Sequence, residues 1–160
     1  MTWRPLTHPT PAPRLQPQFK RQLKPQLPLV VSLLTVKMSV DEIGGAFVQH
    51  YYQTLDSNPA GLAGLYQATS TLTFEGQSFV GADAIIAKYA SLGGVQHNIP
   101  QISKDVQATP GGAALIIFVT GQLITAGQTN PLLFSHVFHL VATGPGQYFI
   151  SNELFRLIYA

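Results

Sequence analysis

The sequence predicts an α+β domain in which helices come first and long antiparallel strands follow. Two observations carry this. Residues 39–92 hold apolar residues at helical spacing, whereas residues 98–160 are β-branched and aromatic runs cut by glycine, proline and asparagine. A third observation narrows the chemistry: there is no cysteine, which excludes disulfides, thiol nucleophiles and cysteine-ligated metals.

The first helix opens at "SVDEIGG" on a capping box, with Ser39 answered by Glu42 three residues on. Ile43, Ala46, Phe47, Tyr51 and Leu55 then repeat on one face, and Asp56, Ser57, Asn58 and Pro59 end the helix. "AGLAGLYQ" is expected to form a short second helix. "STLTFEGQSFVG" alternates as a strand that turns at Glu75-Gly76-Gln77, and "ADAIIAKYASL" is the third helix, with Asp83 near its positive end. The runs "NIPQISKDVQA", "AALIIFVTGQLIT", "PLLFSHVFHLVAT" and "QYFISNELFRLIY" are separated by "TPGG", "AGQTNP" and "TGPG", which predicts a strand meander. A curved antiparallel sheet closed by three N-terminal helices is cone-shaped and has an interior.

Charge divides the chain. Residues 1–37 carry Arg4, Arg14, Lys20, Arg21, Lys24 and Lys37 and no acid, while residues 38–160 hold seven acids against Lys88, Lys104 and Arg156, a net of −4. Residues 1–28 contain seven of the twelve prolines, a spacing that leaves no helical or strand period. Residues 1–37 are therefore expected to form a disordered extension of native, targeting or leader origin, and residues 38–160 the folded domain. "LPLVVSLLTV" is too short to span a bilayer, so no membrane insertion is expected. The acidic domain disfavours nucleic acid and favours a basic partner.

Few residues carry candidate chemistry. His136 and His139 lie three apart on a strand, where side chains alternate, so they cannot share one ion and no metal is expected. His50 reads as a packing or interface histidine, and His97, in "GGVQHNIP", as a histidine of a loop or strand entry. The pairs Gly93-Gly94 and Gly111-Gly112 lack any phosphate-loop pattern, and no GxSxG motif occurs. Glu75 is the most informative acid, because no basic side chain lies within "LTFEGQSFVG". It could serve as a base in a pocket, as an anion for a basic partner, or as an ordinary turn residue.

"AFVQHYYQTLD", "GLAGLYQATSTLTFEGQSFVGADAII", "FVTGQL" and "NELFRLIYA" resemble the nuclear transport factor 2 family, in its plant and green-algal form, from about Ser39 to Ala160. The resemblance implies a cystatin-like roll and a non-enzymatic homodimer without a cofactor. It implies a carrier that brings Ran-GDP into the nucleus and binds phenylalanine-glycine repeats of nucleoporins, moving between cytoplasm and nucleus. It also implies roles for particular residues. Glu75 would salt-bridge a basic residue of Ran while a Ran phenylalanine enters the cavity. Phe74, Leu72, Phe118, Phe138 and Phe155 would line or buttress that cavity, and His97 would approach Asp56. Val40 and Ile43 fall where the repeat-binding groove would be, with Val40 in place of the tryptophan of animal relatives. The loop "ITAGQTNP" lacks the acids that relatives carry there. Two other readings remain: an isomerase or dehydratase using Asp56 and His97, and a dimeric scaffold that has lost Ran.

Overall fold

The computed structural model describes residues 38–159; the expectations for residues 1–37 lie outside the described residues. Helix α1 spans Val40–Ser57 and begins at the expected capping box, with Ser39 N donating to Glu42 Oε2 at 2.7 Å and Glu42 N to Ser39 Oγ at 3.2 Å. Its buried residues are Gly44, Val48, Tyr51 and Tyr52, and Ala46 is exposed, so the face is rotated from the one the spacing predicts. Gly44 is the reason. A Cβ there would sit 2.4 Å from Val106 Cγ2, so only glycine lets the helix lie this close to the sheet.

The second helix is a 3₁₀ helix, Pro59–Leu65, rather than an α-helix. Its glycines and the proline at its start favour a short tight turn, and Tyr66 already belongs to the next strand. Strands β1 (Tyr66–Phe74) and β2 (Gln77–Val80) form a hairpin, and helix α2 spans Ala82–Leu92. A two-residue β3 (Gln96–His97) and a 3₁₀ turn (Ile99–Gln101) precede β4 (Ser103–Ala108), so the predicted strand at "NIPQISKDVQA" starts later than expected. Pro100 explains the delay, since it favours the 3₁₀ turn and cannot donate to a ladder. β5 (Ala114–Ile124), β6 (Leu132–Gly144) and β7 (Gln147–Ile158) complete the meander.

The sheet runs β2-β1-β7-β6-β5-β3, with β4 also paired to β5. All pairs are antiparallel except β1 with β7, which are parallel. The chain leaves the hairpin through α2, starts the meander at the far edge and returns to lay β7 beside β1. A register shift against β6 places a bulge in β7 at Ser151, while against β1 the extra residues lie in β1 itself, between Tyr66 and Thr71. Ser70 fills the gap, with its hydroxyl donating to Ile150 O at 2.6 Å. Bulges bend and twist a strand, and this one curls the sheet around its concave face. Tyr51, Tyr52, Phe134, Phe138, Leu72 and Ile85 are fully buried between that face and the helices.

Candidate functional site

A cavity of about 480 Å³ lies inside the curl, walled by Leu55, Phe74, Ile86, Tyr89, Leu123 and Phe155 among others. Phe74 and Phe155 pair across the parallel β1–β7 ladder and stack at 4.6 Å with their planes 4° apart. Lys88 Nζ lies 4.6 Å from the Phe74 ring centroid, a cation–π contact. Leu72 and Phe138 are buried behind the wall and support it from the core.

Phe118 is elsewhere. Its neighbours Ile117 and Val119 are buried whereas Phe118 is 42% exposed, so strand alternation turns it to the outer face of the sheet. This corrects the expectation that it lines or buttresses the hole. "AALIIFV" is apolar on both faces, and its composition could not show which face was which. His136 and His139 do fall on opposite faces, the first fully buried and the second on the outside. His50 is exposed on α1. Val40 is exposed in the first turn of α1, and Ile43, one turn on, packs against the core.

Glu75 follows Phe74 directly and occupies the left-handed region, with φ of 49°, while Gly76 has φ of 83°. Positive φ at both positions is what a two-residue hairpin turn requires, and a glutamate there carries roughly 1–2 kcal/mol of strain. The side chain offsets part of it. Glu75 N donates to Phe155 O at 3.1 Å, and Glu75 Oε1 accepts from Leu157 N at 2.5 Å, so the carboxylate extends the β1–β7 ladder by one rung. The other oxygen, Oε2, lies 3.7 Å from Arg156 Nη1, whose side chain is largely exposed. One oxygen is thus used by the fold, and the other meets only a loose, solvated ion pair.

Asp56 and His97 come together as expected. Asp56, in the last turn of α1, accepts from His97 Nδ1 at 2.5 Å and from His97 N at 2.8 Å. A carboxylate can only accept here, so Nδ1 carries the proton, and His97 makes its hydrogen bonds among the described residues through N and Nδ1 alone, none through Nε2. Both residues line the cavity.

Sequence reasoning missed the most buried polar cluster. Glu153, fully buried on β7, accepts from Tyr51 at 2.5 Å and Tyr89 at 2.7 Å through Oε1, and from Tyr66 at 2.9 Å through Oε2. His136 Nε2 lies 2.8 Å from Oε1, off the line of a straight hydrogen bond, and His136 Nδ1 is 3.0 Å from Tyr52 Oη. Each tyrosine has one hydroxyl proton, and Tyr51 and Tyr66 give theirs to Glu153. Their mutual 3.2 Å contact is therefore not a further hydrogen bond. Burial raises the Glu153 carboxyl, but His136 and the tyrosine hydroxyls outweigh it and hold it below the ordinary range. Burial also lowers His136 against the pull of Glu153, and it raises all four tyrosines. The signal that would have found Glu153 is parity. It is two residues before Phe155, hence on the same inner face of the strand.

Known proteins resemble the chain along nearly all of this domain. The model of the nuclear transport factor 2 (NTF2) domain matches residues 43–157. Nuclear transport factor 2B of Arabidopsis thaliana is 44% identical over 126 residues, covering 78% of this chain and 98% of the relative. Nuclear transport factor 2 of Oryza sativa subsp. japonica is 43% identical over 124 residues, covering 76% and 99%. The solved nuclear transport factor 2 of Cryptosporidium parvum is 42% identical, covers 74% of this chain and 94% of its own, and superposes with a TM-score of 0.65. The strand order, the curled sheet and these likenesses agree: the chain belongs to the nuclear transport factor 2 family and is a nuclear transport carrier rather than an enzyme.

Proposed function

We infer that the protein is a homodimeric carrier that takes Ran-GDP into the nucleus and passes the pore by binding phenylalanine-glycine repeats. The observation that carries this reading is the pairing of an aromatic-walled cavity with the half-free Glu75 carboxylate. An aromatic side chain of Ran enters between Phe74, Phe155 and Tyr89, and a Ran cation takes Oε2 in place of Arg156. An aromatic anchor in an apolar pocket beside a charge pair is the usual make-up of a hot spot, worth about 2 kcal/mol or more on truncation. The acid-free loop at residues 125–131 adds no further anion, so Glu75 bears more of the ionic contact.

The outer face of the sheet supports the dimer. Phe118, Val137 and Leu154 are consecutive partners across β5, β6 and β7, and Phe118 and Leu154 are 42% and 52% exposed. Ile116, Leu133 and Ile158 extend the apolar patch on that face. A surface of this composition is covered in solution. Sedimentation should show a dimer for the wild type and a monomer for Leu154→Arg, and a wild-type monomer at micromolar concentration would overturn this part.

The test of the carrier reading is binding of the full chain to Ran loaded with GDP or GTP, beside Glu75→Lys. Binding to the GDP form alone, weakened at least thirtyfold by Glu75→Lys, is the expected result; about 2 kcal/mol corresponds to that factor. Dimerisation without Ran binding would favour the scaffold reading, which the acid-free loop motivates.

A further inference from the structure

The cavity is larger than the anchor assigned to it. At about 480 Å³ it falls within the ~300–1,000 Å³ of small-molecule sites, and a single phenyl ring leaves much of it unfilled. Its polar equipment is also more specific than a phenyl ring needs. His97 has a side chain 3% exposed, lines the cavity, and has Nδ1 tied to Asp56, so in the neutral ring its Nε2 presents a lone pair. The other buried imidazole, His136, is turned to the core cluster: its Nδ1 lies 3.0 Å from Tyr52 Oη, and its Nε2 faces Glu153 Oε1 at 2.8 Å without a straight hydrogen bond. Among the described residues no lysine or arginine lines the cavity, Lys88 being engaged on the Phe74 ring, and Asp56 is near, so an anionic ligand finds little counter-charge there.

We propose that this cavity binds a small neutral hydroxyaromatic molecule, a fused-ring phenol, with its rings against the Phe74–Phe155 stack and its hydroxyl donating to His97 Nε2. The tautomer selects the class. In the neutral imidazole, with Nδ1 protonated toward Asp56, Nε2 accepts, so a phenol satisfies it and an ether or ketone does not. The rings bury apolar area on a wall that is otherwise left in contact with water. Such a ligand occupies the space a protein's aromatic anchor would use, so the two exclude one another. The phenylalanine anchor of the carrier reading has no hydroxyl, which makes the two occupants distinguishable.

The experiment is a calorimetric titration of the full chain, without Ran, using 2-naphthol as probe and 2-methoxynaphthalene and 2-naphthoate as controls. The expected result is saturable 1:1 binding of 2-naphthol, about tenfold weaker binding of the methyl ether, and no binding of the carboxylate. In His97→Leu the naphthol and its ether should bind equally. Lack of saturable naphthol binding, equal affinity for the ether in the wild type, or a hydroxyl preference that persists in His97→Leu would each overturn the proposal. The wild-type comparison of ligands needs no variant, so a folding defect in His97→Leu leaves the test decisive. Because Ran is absent, the outcome is independent of the carrier reading.

Discussion

Glu153, in the middle of β7, and Glu75, in the turn after β1, are two carboxylates of one sheet, and they have opposite lives. Glu153 is sealed in the core and takes three tyrosine hydroxyls and an imidazole. Glu75 sits on a strained turn, gives one oxygen to a backbone amide and leaves the other beside a solvated arginine. A carboxylate whose partners are all internal can only hold the fold together. A carboxylate with an oxygen to spare can hold something else as well. The number and kind of partners, rather than burial alone, separate a structural acid from an available one.

The sharpest way to break this contrast is Glu153→Ala. It strands three tyrosine hydroxyls and His136 in the core and should lower stability by about 3–5 kcal/mol in urea unfolding. A loss below about 1 kcal/mol would show that the core rearranges to satisfy those donors.

Acid should act on the same cluster in two stages. His136 is held below its ordinary 6.5 and Glu153 below its ordinary 4.5. As pH falls through 6.5 the unfolded chain binds a proton at His136 that the folded chain refuses, and below 4.5 the same happens at Glu153. The unfolded state gains protons in both stages, so stability drops as pH falls and is fully present above 6.5. His136→Gln should remove the contribution of this residue to the upper stage and keep the lower one. An unchanged slope between pH 6.5 and 5 would place that sensitivity elsewhere.

The smallest expected effect is Glu75→Gly. Glycine relieves the left-handed backbone strain, while the hydrogen bond to Leu157 is lost, and each is worth about 1 kcal/mol. The melting temperature should move by only a few degrees, whereas the affinity for Ran-GDP should fall as in Glu75→Lys, to a lesser degree. A large loss of stability would make Glu75 a structural acid like Glu153 and erase the distinction.

Much of the architecture follows from local chemistry. The capping box at Ser39, the turn at Glu75-Gly76 and the strand runs separated by glycine and proline are written in neighbouring residues, and apart from the delayed start of β4 each appears where those residues place it. So does the segregation of His136 from His139, which needs only the two-residue period of a strand. The Asp56–His97 contact was legible only through family resemblance, since forty-one positions separate the two residues. The tertiary structure alone decided the rest. Gly44 against Val106 rotated the buried face of α1, and the bulge at Ser151 curled the sheet. Phe118 went outward because a strand apolar on both faces gives no phase. Glu153 gathered its partners from two helices and two other strands. Local sequence fixes backbone preference and side-chain phase. It does not record which distant side chains meet, because those contacts arise only when the whole core closes and every buried polar group must find a partner.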